Sequence, residues 1–412
     1  MPKSSGKKST SLLSKMDLKS KYVFCRVDLN SPVVNGKVEL SPRIVAHSET
    51  LKFLANKKAR VVVLAHQGRK GDEDFTDLSQ HYELMKPLLK GKKFYYVKDV
   101  VGENAVNSVK NLKDGEILLL DNVRQLDDEK SYDSPEQCLN TQLVKTYENI
   151  CDVFVLDAFS VAHRNQPSVT GFYRKGIIPG IILERELSSI DKLANVKGNA
   201  LFVLGGAKAE DGIKIMEHWI NKLGNKARFI LGGAIANLFL MAKDYKVGKG
   251  TEDFLAKNNN LELLDKAKEI LAKNQSNIVL PVDVAVEESG MRKEYPVEKV
   301  PETSSILDVG SKTMELYEIE IKKSETILVN GPLGVYEDVR FAEGTKRILK
   351  AIANAGKTRK AFSVIGGGHT VSAIEKFKLS KKSFGYISLA GKALIQYLSG
   401  EKLAGIELLK RN

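Results

Sequence analysis

SVIGGGHTVSAIEKF, residues 363–377, sets an apolar β-branched run, three consecutive glycines and a helical pattern in immediate succession. A strand that turns through glycine into a helix is what a phosphate-binding loop requires. Glycine lets backbone N–H groups come close to an anion, and the helix N-terminus adds its dipole. The same grammar recurs along the chain. Short β-branched runs stand at 22–27, 60–65, 94–97, 116–120 and 153–158, and again at 200–204, 228–231, 278–282, 326–329, 362–365 and 385–389. Amphipathic stretches such as 207–223, 259–274 and 340–355 lie between them. Near-continuous apolar strands alternating with helices predict parallel sheets covered by helices.

Eleven strands are too many for one open sheet. The series divides best at GFYRKGIIPGIILERELSSIDKLA, 171–194, a Gly/Pro-containing loop followed by Leu183, Leu187, Ile190 and Leu193 at helical spacing. The expected fold is therefore α/β, two Rossmann-like parallel-sheet domains joined by a hinge helix. The expected boundaries are a basic tail at 1–21, a first domain at 22–178, a linker helix at 179–196 and a second domain at 197–395. A C-terminal segment, 396–412, is expected to return to the first domain.

In open parallel sheets ligands bind beyond the carboxyl ends of the strands, and the two halves differ there. The first half is polar and cationic: Asp28 and Asn30, with Arg43 after Pro42, then His66 and Arg69, Asn122 and Arg124, and Asp157, His163 and Arg164. Arginines at successive strand ends predict a basic cup suited to carboxylate and phosphate. The second half is glycine-rich: LGGAK (204–208), LGGAIAN (231–237), VNGPLG (329–334) and IGGGHT (365–370), with Lys208 the one cation inside such a loop. Four such loops in one domain predict a nucleotide site. AIANAGKT, 351–358, ends like a Walker A loop but follows a helix and precedes a strand, so it reads as a helix C-cap at Gly356.

The net charge of +13 favours anionic partners, yet much of the excess lysine lies in the N-terminal stretch and on helix faces, with no recognisable nucleic-acid module. Three cysteines without CxxC spacing argue against a disulfide framework or a zinc site and for a reducing cytoplasm. Residues 1–21, rich in Ser and Lys, lack the apolar core of a secretory signal and read as a solvated extension, with a targeting or polyanion-binding tail as the alternative. No apolar stretch is long enough to span a bilayer.

In this order, RVDLNSP, AHQGR, DAFSVAHR, LGGAKAED, LPVD, DVGSKT, and VNGPLGVYE followed by FAEGT closely resemble the phosphoglycerate kinase family, over about nine-tenths of the chain. The resemblance implies a hinge enzyme that moves a phosphoryl group in line, after closure, between ATP and the carboxylate of 3-phosphoglycerate, giving ADP and 1,3-bisphosphoglycerate. By position it implies that Asp28, Asn30, Arg43, His66, Gln67, Gly68, Arg69, Arg124 and Arg164 bind phosphoglycerate, and that Lys208 contacts the transferred group. Glu337 would hold the ribose, and Gly205, Gly232, Gly233 and Pro332 would wall the adenine. Asn330 and the loop Gly366, Gly367, Gly368, His369 and Thr370 would lie at the phosphates. Arg43 and Lys208 are the catalytic candidates. No protein metal ligand is expected, Mg²⁺ arriving with the nucleotide. The partners expected are these small molecules, with no nucleic acid or membrane, and a monomer is expected before a dimer.

A carboxylate acceptor is already ionised near neutral pH, so no general base is needed, and positioning and charge stabilisation remain. A nicotinamide-dependent oxidoreductase would need a GxGxxG turn with an acidic residue about 20 positions later, and none is found. The sequence departs from the family pattern in four places: Gly212 stands where a second lysine is usual, FSVAHR replaces FGTAHR, Lys392 stands in SLAGKA, and His369 takes the place of a carboxylate. As a set these resemble the archaeal branch. Lys392 is a candidate to replace part of the missing charge, and His369 to contact nucleotide phosphate.

Overall fold

The computed structural model describes residues 12–409. The chain divides into two compact units, Met1–Leu187 with Lys402–Asn412, and Ser188–Glu401.

In the first unit six parallel strands lie in the order Phe94–Tyr96, Ile117–Leu119, Arg60–Leu64, Tyr22–Arg26, Val153–Leu156, Ile177–Pro179. The central strands are buried on both faces. On one, Val23, Cys25, Val61 and Val63 pack with Leu51 and Leu54 of the helix Pro42–Asn56. The other is aromatic, with Phe172 stacked on Phe24 and Phe154 at ring separations of 5.7 and 5.2 Å. The helix Pro42–Asn56 starts where Ser41 accepts a hydrogen bond from the Ile44 amide and Pro42 fills the first position, so Arg43 lies in the first turn. Asp157, at the end of its strand, accepts from the Ile182 and Leu183 amides at 2.8 and 3.3 Å and so caps the helix Ile181–Ala194. The helix Ala404–Leu409 packs on Ile177–Pro179, and the Gly405 amide donates to the Ala162 carbonyl at 2.8 Å.

In the second unit the parallel order is Ile278–Val279, Ala227–Leu231, Asn199–Leu204, Ser324–Asn330, Phe362–Gly366, Tyr386–Ile387, which is 3-2-1-4-5-6 in chain order. The order reverses between Asn199–Leu204 and Ser324–Asn330, and a doubly wound sheet opens its ligand crevice at such a reversal. Leu201, Val203, Ile327 and Val329 pack with Tyr317, Ile348 and Ile352 on one face, while Phe202 meets Phe229 and Trp219 on the other.

The two parallel sheets are as expected, but four local readings are corrected. Ile177–Pro179 is a sixth strand inside a stretch read as loop. Asp283–Glu288, Met291–Pro296 and Ile306–Val309 form an antiparallel sheet that the pattern did not suggest. The N-terminal extension joins the fold well before 22: Leu12–Lys15 is helical, and Leu13 and Leu18 are buried in the first core; residues 1–11 lie outside the described residues. Gly356 is not a cap. The helix Glu343–Arg359 runs through it and ends at Lys360, whose φ is +56°. Gly356 instead allows close packing, since a Cβ there would lie 2.7 Å from the Ser383 carbonyl oxygen.

Candidate functional site

At the carboxyl ends of the first sheet, cations gather around one buried carboxylate. Arg43 sits at the positive end of its helix, an unfavourable place for a cation. It is held there by Asp28, Nε to Oδ2 at 3.3 Å, and by the Asn30 carbonyl, Nη1 to O at 3.2 Å. Burial alone would raise the Asp28 carboxyl, but Arg43, His66 and the Ser160 hydroxyl outweigh it and hold it at about 2. Asn30 accepts from the Gly68 amide at 2.8 Å, and the Gly68 carbonyl accepts from Arg124, so two strand-end loops are stitched together under the arginines.

Arg26 was not among the expected site residues, yet it organises the cup. It is 1% exposed, donates through Nε to Ser168 Oγ at 2.9 Å, and sets Nη2 2.9 Å from His66 Nδ1. A guanidinium only donates, so Nδ1 must accept and the neutral ring carries its proton on Nε2. Burial first, then Arg26, pushes His66 well below the usual imidazole range, which keeps that tautomer at neutral pH. Ser168 in turn donates to Glu129, which burial raises against the pull of Arg26.

The remaining arginines repel one another. Burial, Arg26 and Arg164 bring Arg124 down to about 10, and burial and Arg69 lower Arg164. Arg69 is exposed and has no ion pair among the described residues. Arg26, Arg43, Arg69, Arg124 and Arg164 outnumber the carboxyls of Asp28 and Glu129 that face them, and such an excess of like charge is a preformed anion site. Gln67, in contrast, is a brace. Its carbonyl oxygen accepts from the Ser31 amide at 2.8 Å and lies 3.1 Å from His81 Nε2, while its nitrogen donates to the Ser31 and Asp74 carbonyls. Fully buried and fully bonded, its side chain has no group left for a ligand.

In the second unit the glycine loops do different work from one another. Gly205 and Gly206 donate their amides to the Asn330 and Pro332 carbonyls, Gly233 to Leu333, and Ala234 to Gly206, all within 2.9 Å. A Cβ on Gly205 would fall 2.1 Å from the Pro332 oxygen, and one on Gly233 2.5 Å from that of Gly206. Three of the loops are thus glycine-rich because they lock into each other. The fourth differs: Gly367, with φ of +81°, precedes the helix Gly368–Lys376 without a side-chain cap, and the exposed Gly368 and His369 that follow have no loop carbonyl on their amides. Thr370 Oγ1 accepts from the Gly331 amide at 2.9 Å and ties this loop to the crevice.

The interlocked loops wall a cavity of about 470 Å³ that also takes in Phe254, Ile306, Leu307, Val335, Glu337 and His369. Its size and apolar lining fit a heteroaromatic ring. Asp308, missed in the sequence, lines it as well: burial raises its carboxyl to about 6 although Gly344 and Arg292 both bond it. His369 is exposed, with Nδ1 3.6 Å from Glu337 Oε1. Among the described residues no group of three His, Cys, Asp or Glu side chains could hold a metal. Lys208 is exposed at the start of the helix Ala209–Leu223. Gly212 faces the neighbouring helix so closely that a Cβ would lie 2.6 Å from Ile235 Cδ1. Lys214 foremost holds the Glu210 carboxyl low, with Lys208 and Lys392 adding to it, while burial raises that of Asp211 against the same three lysines. All three cysteines are buried and free, and no helix among the described residues is long and apolar enough to cross a membrane.

The family model described as phosphoglycerate kinase matches residues 13–401. The phosphoglycerate kinase of Methanopyrus kandleri is 38% identical over 97% of both chains. That of Saccharolobus solfataricus is 39% identical, over 96% of this chain and 95% of its own. The crystal structure of the Pyrococcus horikoshii enzyme superposes with a TM-score of 0.84 at 35% identity, covering 97% of this chain and 98% of that one. The structure of the Coxiella burnetii enzyme superposes with a TM-score of 0.82 at 32% identity, with the same coverage.

Proposed function

The chain belongs to the phosphoglycerate kinase family, and we propose that its arginine cup takes 3-phosphoglycerate while the glycine-walled cavity takes the nucleotide. The reaction is ATP-dependent phosphoryl transfer to the substrate carboxylate, giving 1,3-bisphosphoglycerate and ADP. The observation that carries the assignment of the cup is the mutual repulsion of Arg26, Arg124 and Arg164, which a phosphate and a carboxylate would relieve. Arg69 and the Nε2–H of His66 add donors, and Asp28 holds Arg43 ready. In the second unit the cavity takes the adenine, Glu337 the ribose, and the open amides after Gly367 the phosphates, with Asn330 beside them.

The acceptor needs no base, so the chain supplies position and charge. Arg43 and Lys208 share the negative charge of the group in transit. Lys392 supplements Lys208, a reading supported by their common effect on Glu210 and Asp211. Beyond Glu337 beside His369 the described residues offer no ligand set for Mg²⁺, so phosphate oxygens and water would hold it with the nucleotide, where it would neutralise phosphate charge. Transfer requires the two bound substrates to meet, so the proposal includes closure about the helix Ile181–Ala194. A monomer in the cytoplasm completes the reading.

The test is Arg43→Ala in a coupled assay that follows ADP formation with 3-phosphoglycerate. Turnover should fall by about two orders of magnitude or more, the range seen for losing one charge stabiliser, while ADP affinity stays within about twofold. Parallel losses in turnover and ADP binding would show that the cup is not separate from the nucleotide site.

A further inference from the structure

At the opposite, amino-terminal edge of the second sheet lies a cavity of about 500 Å³ unrelated to the glycine loops. It is lined by Lys192, Lys197, Lys323, Arg359 and Lys360, five cations, against the single carboxylate of Glu325. The strand Ser324–Asn330 separates it from Asn330 by six residue steps, about 20 Å at ~3.3 Å each. The turn 195–198 closes one side, and the end of the helix Glu343–Arg359 closes another.

A simpler reading is that these cations complement helix C-termini. Three helices end nearby, at Ala194, Lys323 and Arg359. Each carries about half a unit of negative charge at its end, roughly −1.5 in all. The side chains carry +4, and Glu320, shared between Lys323 and Arg228, offsets up to one more, so about +1.5 to +2.5 remains. Of the five cations only Lys323 has a carboxylate partner among the described residues, Glu320 at 3.2 Å. Lys192 lies over the Phe362 ring at 4.2 Å from its centroid, and Arg359 donates to the Ile321 carbonyl at 2.8 Å. Among the described residues the side chains of Lys197 and Lys360 have no partner, and both stand beyond the helix ends.

The cavity floor adds a second, independent sign. Thr326, 7% exposed, lines it, and its hydroxyl is turned away from solvent without a hydrogen-bond partner among the described residues. A buried hydroxyl without a partner destabilises the fold unless something bonds it. Pairing in this strand shifts between Ser324 and Thr326, a bulge that places Glu325 out of register at the cavity rim. Bulges re-aim side chains and gather at functional sites.

We propose that this cavity is a further anion site, distinct from both substrate sites, for a compact ligand of charge about −2 bearing a diphosphate group. The residual charge sets the ligand charge, and the volume lies within the usual small-molecule range. One end of the ligand would be bound by Lys197 and Lys360, and the other would accept from the Thr326 hydroxyl after a χ1 rotation.

The probe is inorganic pyrophosphate, titrated calorimetrically without Mg²⁺ into the full chain held at saturating ADP and 3-phosphoglycerate. One site should remain, and orthophosphate should bind it at least tenfold more weakly. The double variant Lys197→Glu/Lys360→Asn, with asparagine chosen because it tolerates positive φ, should weaken pyrophosphate at least tenfold while kinase turnover is unchanged. Thr326→Val should weaken it about fivefold, one neutral hydrogen bond's worth. Hydrogen exchange should slow on binding within 192–198, 323–326 and 359–362. Equal binding by wild type and double variant, absence of binding to the substrate-saturated chain, or protection confined to other segments would overturn the site. Equal affinity for orthophosphate would overturn the diphosphate class.

Discussion

Asp28→Asn removes the charge that holds Arg43 at the unfavourable end of its helix while keeping the side chain's shape. The Asp28 carboxyl sits at about 2 against an ordinary 3.8, a depression of about 1.8 units, worth about 2.5 kcal/mol of stability at neutral pH at 1.36 kcal/mol per unit. The carboxyl is almost fully buried, so solvent screening removes little of this. A depressed carboxyl stabilises the fold above its unfolded pKa and loses that contribution as pH falls through the folded value. The wild-type advantage should therefore be about 2.5 kcal/mol at pH 7 and about 1.3 kcal/mol at pH 3. Native-state hydrogen exchange of the amides in Tyr22–Arg26 reads the first unit by itself. The same variant should raise KM for 3-phosphoglycerate about tenfold, since Arg43 loses its anchor but not its charge. A stability difference that stays constant from pH 7 to pH 3 would refute the electrostatic account and leave only a packing effect.

Asp308→Asn probes the opposite case. Burial raises this carboxyl to about 6 from 3.8, so the folded chain takes up a proton before the unfolded chain does, and stability rises as pH falls through that window. Asparagine cannot titrate, so the stability of variant minus wild type should drop by about 2.5 kcal/mol between pH 7 and pH 4, measured by urea unfolding. A flat difference would show that the carboxyl titrates normally. His369→Asp restores a hard oxygen ligand beside Glu337, and it should lower the Mg²⁺ concentration needed for half-maximal turnover by several-fold. An unchanged Mg²⁺ and pH dependence would leave the histidine without a part in the reaction.

What was legible in the sequence was what residue type and periodicity state together. The β-branched runs gave every strand of the two parallel sheets except Ile177–Pro179, and the arginines after them gave the cup, because a strand end in a parallel sheet is already a place. Met291–Pro296 escaped because MRKEYP is largely exposed and charged and carries no buried-strand pattern. Its signal lay in the turn: Ser289 and Gly290 both have positive φ, 52° and 79°, the two-residue hairpin preference. Missing that hairpin meant missing its sheet partner Ile306–Val309, and with it Asp308 in the cavity wall.

Arg26 shows a harder limit. It ends a strand as the other arginines nearly do, and nothing local distinguishes it. Its role is set by Ser168, 142 residues away in sequence, and by Glu129, which that serine bonds. The glycine loops carry the same lesson. In sequence LGGAK, LGGAIAN, VNGPLG and IGGGHT are equivalent, since each says only that another group can come close to the backbone. Tertiary packing decides which group that is. The loops after Asn199–Leu204, Ala227–Leu231 and Ser324–Asn330 meet each other's carbonyls, so their amides are taken. The loop after Phe362–Gly366 lies as far from the reversal as the one after Ala227–Leu231, on its other side, yet its first helical amides have no such partner. Glycine count therefore marks the crevice, while the backbone contacts each loop makes separate the loops that build its walls from the one left to bind an anion.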